Sequence, residues 1–184
     1  MESSPVKDSY LEGRRLEARA RGENSAAPWL EFAELKASKG SYALAAMGYL
    51  NAGALLEARR DPGAGQCYRR GFDVCVKGAL REPALFLASR LAGLLEREGD
   101  AGGAAAAYEA LSSFCESSGA WFLAADAAEH AAELLKAGGR DISSYGRPAE
   151  LWERNAAYWA EKNNSGDEAW SRRRAELYLE SIKK

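Results

Sequence analysis

Few residues in this chain are suited to chemistry. The one histidine, His130, stands between Glu129 and Glu133 in an alanine-rich stretch. An imidazole beside a carboxylate is the pairing a general base requires. No motif places a Ser or Cys nucleophile for it, so His130 reads as a packing or surface residue and the chain as non-catalytic. Cys67, Cys75 and Cys115 form no C-x-x-C pair, and their odd number argues against a disulfide framework. Cys67 and Cys75 are eight residues apart, about two helical turns, too far for a disulfide within one helix. Buried thiols in a reducing compartment are expected. Glu96, Glu98 and Asp100 lack the loop spacing of a calcium site. Gly99-Asp100-Ala101-Gly102-Gly103 resembles a phosphate cradle, but no G-x-x-x-x-G-K-[ST] follows, so it reads as a turn between helices. No metal and no cofactor is expected.

The basic residues carry more. Arg172, Arg173 and Arg174, with Lys183 and Lys184, give the last segment a basic side interleaved with Trp170 and Tyr178. Such a side suits phosphate or an acidic partner. Glu168, Glu176 and Glu180 offset it, and the balance falls against nucleic acid. A second set, Arg59, Arg60, Arg69 and Arg70, is placed to clamp a peptide carboxylate if its members share a face. Both sets are taken as candidate partner-binding residues. The triplet Asn163-Asn164-Ser165 matches the glycosylation pattern and reads as a chance occurrence.

The elements that must position these residues follow from composition. The chain has 184 residues and net charge −2, with Val only at 6, 74 and 76, Ile only at 142 and 182, and no Thr. Strands draw on β-branched residues, whereas Ala, Leu, Glu and Arg favour helices. About a fifth of the chain is Ala, so an all-α protein is predicted. Gly, Pro and Ser/Asp punctuation predicts nine helices near 6–21, 26–38, 41–59, 63–77, 82–98, 101–117, 120–137, 147–163 and 167–183. The short connections make neighbours antiparallel. The start has no apolar stretch of a signal peptide, and no run approaches 18 apolar residues, so a cytoplasmic protein without a membrane span is expected.

A spacing recurs within the helices: small-x3-large-x2-small. It begins at Ala26, Ala45, Ala64, Ala84, Ala104 and Ala124, in steps of 19 or 20 residues. Positions i, i+4 and i+7 share a helix face, and two small residues there let the next helix approach closely. The near-constant step predicts stacked hairpins of equal length, a right-handed α-α superhelix of about nine helices. The rhythm breaks at 136–147, the longest connection. One domain is expected over 1–184: a cap or arm at 1–22, hairpins at 24–137 and a cap hairpin at 147–184.

The segment Trp29-x2-Phe32-Ala33-x2-Lys36-x3-Gly40-x-Tyr42-x2-Ala45-x3-Tyr49-x2-Ala52 resembles a tetratricopeptide repeat. A second segment, Tyr108-x2-Leu111-Ser112 through Gly119, Trp121, Ala124, Ala128 and Ala131, is similar. An overlapping frame through Leu91, Leu95, Gly99, Asp100, Ala104 and Tyr108 also fits, so the pairing of helices into hairpins stays open. Ala64 with Tyr68, and Ala84, continue the pattern. The hairpin length of about 40 residues exceeds the usual 34 and is closer to the longer-helix soluble NSF attachment protein (SNAP) group. In that group the loop between the first helices is apolar, whereas Arg21-Gly22-Glu23-Asn24-Ser25 is polar; the end Leu179–Lys184 also departs from the group's acidic terminus. The resemblance implies a scaffold that binds a peptide or helix of a partner protein on its inner face. The alternatives are a SNAP-like adaptor of a membrane-trafficking or AAA ATPase system, and a nucleic-acid binder using the last helix. A homodimer stays open. Tyr42, Tyr49, Tyr68 and Tyr108 are expected in helix packing rather than as partner anchors.

Overall fold

A computed structural model describes residues 5–23, 25–139 and 146–182, with side chains from Glu12 onward. Among these residues there are nine helices and no strand: α1 (Pro5–Glu23), α2 (Ala26–Ser38), α3 (Tyr42–Ala58), α4 (Gly63–Lys77), α5 (Arg81–Arg97), α6 (Ala101–Ser117), α7 (Trp121–Ala137), α8 (Gly146–Glu161) and α9 (Ser165–Ile182). The all-α expectation holds, and every helix lies within two residues of its predicted bounds. No helix among the described residues is long and apolar enough to cross a membrane. The middle of the 136–147 connection, Lys183 and Lys184, and the Tyr10 and Leu11 side chains lie outside the described residues.

The chain forms two compact units, Met1–Arg90 and Leu91–Lys184, with the divide inside α5. In the first, α1, α2, α3 and α4 pack in succession. Its core joins Ala20, Ala26, Trp29, Phe32, Ala52 and Cys67, flanked by Leu16, Leu30 and Met47. In the second, α6, α7, α8 and α9 pack in succession. Trp152, Leu111 and Leu151 are its largest enclosed apolar side chains.

The repeated small residues are the seams. Ala45, Ala52, Ala64 and Ala84 in the first unit, and Ala104 and Ala124 in the second, are fully buried. Glycines extend the seams. A Cβ on Gly48 would lie 2.9 Å from that of Ala33, and one on Gly53 would lie 2.5 Å from the Tyr68 ring. Tyr49 and Tyr68 are buried between helices, as their spacing predicts, while Tyr42 and Tyr108 are half-buried. Across the α6–α7 seam the buried Ser112 hydroxyl donates to the Ala124 carbonyl at 2.8 Å.

A second periodicity spans the turns. Tyr68 and Arg90, Tyr108 and His130, and Trp152 and Arg174 are each 22 residues apart, an aromatic residue on α4, α6 or α8 and a basic one on the next helix. All three pairs are in contact. The Arg90 guanidinium lies 5.7 Å from the Tyr68 ring centre, and Arg174 lies 5.9 Å from that of Trp152. His130 stacks on Tyr108 at 5.2 Å. Trp29 and Asn51 occupy the corresponding places on α2 and α3. This register recurs over α4–α5, α6–α7 and α8–α9.

Among the described residues, the turns from α2 through α7 and the turn between α8 and α9 each hold a left-handed residue. Gly40 and Gly99 supply it without strain, at φ of 70° and 80°, but Arg60, Ala79 and Asn163 occupy the same conformation with side chains. Replacing Ala79 by Gly is expected to raise stability by about 0.5–1 kcal/mol in urea denaturation. Replacing Ala104 by Leu overfills the α6 seam and is expected to cost about 1–3 kcal/mol; an unchanged melting curve would show that the seam has spare room.

Candidate functional site

The set Arg59, Arg60, Arg69 and Arg70 is divided between two elements. Arg59 and Arg60 lie in the α3–α4 turn, Arg60 at φ 57°, while Arg69 and Arg70 are exposed on α4. Arg70 donates to Glu34 on α2 at 3.2 Å. The arginines of the other set are on α9, and each meets a carboxylate: Arg172 meets Glu168 at 2.9 Å, Arg173 meets Glu176 at 3.0 Å, and Arg174 meets Glu129 on α7.

The residues imagined around His130 separate. Its Nδ1 lies 2.8 Å from the Asp126 carbonyl oxygen and 3.9 Å from the Asp126 carboxylate, and the ring is half-exposed. Glu129 turns the other way, into the core. The Gly99–Gly103 stretch is a helix start capped by its own side chain: Asp100 Oδ1 accepts from the Gly103 amide at 2.8 Å. All three cysteines are buried. Burial pushes the Cys67 thiol up, and pushes that of Cys75 up to about 11. Among the described residues no group of three or more His, Cys, Asp and Glu is placed to hold a metal ion.

What the structure adds is a groove in each unit, lined in both by alternate helices. In the first unit, α3 and the start of α5 enclose about 270 Å³ between Ala46, Met47 and Leu50 on one side and Pro83, Phe86 and Leu87 on the other. Phe86 on its rim is 52% exposed. At the far end of α3, Glu57 accepts from the Tyr68 hydroxyl at 2.5 Å and from Arg90 at 2.7 Å. Burial, then the bond to Glu57, holds the Tyr68 hydroxyl above its ordinary pKa.

In the second unit, α7 and α9 flank a groove of about 570 Å³. Its floor is built around Glu129, whose side chain is 8% exposed and accepts from Trp152 Nε1 at 3.0 Å and from Arg174. The Arg174 guanidinium sits against both Trp152 and Trp170, 5.9 and 5.8 Å from their ring centres, and its Nε is sealed without a hydrogen-bond partner. Trp170 in turn stacks on Phe122 at 6.0 Å, both rings nearly half exposed. Beyond the Glu129–Arg174 link the groove is walled by Glu133 and Lys136 on α7 and by Leu177, Tyr178 and Ser181 on α9.

Sequence reasoning missed these grooves. A usable signal existed: Phe86 and Trp170 are 84 residues apart, the same offset that relates Tyr68 to Trp152 and Arg90 to Arg174. No protein-family model matches the chain, and no curated protein matches it.

Removing one partner of a buried ion pair leaves the other charge uncompensated. Arg174→Ala is expected to cost about 2–3 kcal/mol, below the fully buried range because this side chain is 36% exposed. Adding Glu129→Leu should restore most of the loss in chemical denaturation. The Cys75 thiol keeps its proton in the folded chain to about pH 11, whereas the unfolded thiol loses it near 9. The native state therefore binds the extra proton between those values, and stability should fall by about 2–3 kcal/mol as pH rises from 9 to 11. Cys75→Ala should flatten that fall.

Proposed function

We propose that this chain is a non-catalytic binding module, a tetratricopeptide-like scaffold that holds a peptide or helix of a partner protein in the grooves between alternate helices. The observation that carries this reading is an open groove between alternate helices in each unit, lined by half-exposed apolar side chains, Phe86 on α5 in the first and Leu177 on α9 in the second. A single exposed aromatic is ordinary on a protein surface. Apolar side chains exposed in a groove are what a helix-in-groove receptor needs: an apolar contact for each anchor of the ligand. Hairpins near 40 residues keep the SNAP-like type as the nearest likeness within this reading, and a cytoplasmic location accords with the buried thiols of Cys67 and Cys75. The pairing of Arg172 and Arg173 with Glu168 and Glu176 speaks against the nucleic-acid alternative, which needs those cations for phosphate.

Selection of randomised displayed peptides on the full chain tests the reading. Enriched peptides are expected to bind with Kd of about 1–100 μM, since one or two anchors must offset the entropy of association. Phe86→Arg or Leu177→Arg should abolish binding while leaving the circular dichroism melt unchanged. Selection that enriches nothing, or peptides indifferent to both substitutions, would remove the proposal.

A further inference from the structure

The two grooves differ in chemistry. That between α7 and α9 is lined by two carboxylates and two cations, with Tyr178 and Ser181 beside them. That between α3 and α5 is lined only by Ala, Met, Leu, Pro and Phe, whose side chains neither ionise nor donate a hydrogen bond. The amides of Met47, Leu50, Phe86 and Leu87 are used within their helices. Pro83 stands in the first turn of α5, where amides are unpaired, and has no N–H. Arg81 and Glu82, just before it, are exposed and opposite in sign. Further along both helices, Glu57 and Arg90 pair with each other at 2.7 Å. A charged group placed between Met47 and Phe86 would therefore lose its water and gain no partner.

Size narrows the ligand further. The α3 wall runs from Ala43 to Leu50, a rise of about 10 Å at 1.5 Å per residue. The α5 wall, Pro83 to Leu87, is a single turn. Side chains one turn apart on a helix are separated by about 5–6 Å, so two fit between these walls and a third overruns the α5 side. The volume, about 270 Å³, is open to solvent along Phe86. It falls below the roughly 300–1,000 Å³ of a site that encloses a small molecule. It suits side chains that enter from a partner helix whose own backbone stays outside. Met47, unbranched and partly buried, lets the wall adapt to a branched or an aromatic anchor.

We infer that the α3–α5 groove receives a partner helix through two uncharged apolar side chains, Leu, Met or Phe, set one turn apart, and excludes charge at both positions. This rests on the peptide-binding reading above and fixes the ligand class of one of its grooves. The test uses labelled helical peptides of about 16 residues with Leu at two positions four apart in a neutral Ala and Gln host. Their binding to the full chain is followed by fluorescence anisotropy, beside the displayed-peptide selection. Replacing either Leu by Lys or by Glu should cost about tenfold or more, to a similar degree for both signs. A third Leu one turn further on should change Kd by less than about threefold. Raising salt from about 50 to 500 mM should also leave Kd within about threefold. Ala43 is exposed on the groove wall, so Ala43→Phe should fill the space and cost about tenfold or more with the melt unchanged. A two-Leu peptide that fails to bind or is indifferent to Ala43→Phe, a Lys or Glu peptide that binds as well, or a third Leu that gains tenfold overturns the inference. Displayed peptides that Leu177→Arg weakens would then leave the binding module intact. Self-association of the free chain that Ala43→Phe abolishes also overturns the inference, since a second copy would then be the occupant. If neither these peptides nor any displayed peptide binds, the module reading falls and takes the inference with it.

Discussion

Alanine and glycine at the helix seams let neighbouring backbones approach until the one large side chain between them is enclosed. Gly53 shows the consequence. With no Cβ there, the Tyr68 ring lies directly on the α3 backbone, and its hydroxyl reaches Glu57 at the end of the same helix. Arg90 then crosses from α5 to that carboxylate and lies over the Tyr68 ring. A small residue thus sets the depth of an aromatic, the aromatic aims a donor, and the donor orients a carboxylate that ties α3 to α5. A larger residue at the seam would push the whole sequence of contacts out of reach.

The second unit repeats this logic with stronger terms. Trp152 is enclosed, its N–H goes to Glu129, and Arg174 closes the link from α9 to α7. Here the carboxylate is buried, and two charged or polar donors are what make its burial tolerable. The indole rings around the guanidinium account for the sealed, unpaired Nε: the aromatic faces cover it and provide no acceptor. On the other helix layer of each unit, exposed pairs do lighter service, Arg70 with Glu34 and Arg147 and Arg154 with Glu116. Such pairs are worth little individually. They hold alternate helices in register, and the distance between alternate helices is what makes a groove.

Much of this was legible beforehand. The helix ends could be read because Gly, Ser, Asp and Pro act locally, within a turn of the residues they cap or interrupt. The seams could be read because their period repeats six times in small residues. Ala79 and Arg60 show the limit of local reading, since they adopt the left-handed conformation that Gly40 and Gly99 adopt and only the demand for an equally short turn forces them there. The arginines at 172–174 show another. Their sign is plain in the sequence, but the carboxylate that occupies Arg174 lies 45 residues earlier on another helix.

Composition and spacing by themselves determined that the chain is helical, where each helix starts and stops, and which face of each is small enough to be approached. These are consequences of propensity and period, which act along the chain. Which side chains remain at the surface after packing was decided only in three dimensions. Phe86 and Leu177 are apolar and would serve equally in a core; they are exposed because their helix positions face the gap between alternate helices. Glu129 is an ordinary acidic residue of an amphipathic stretch until Trp152 and Arg174 converge on it. Pairing cancels charge between residues far apart in the chain, and no count along the sequence records which charges meet.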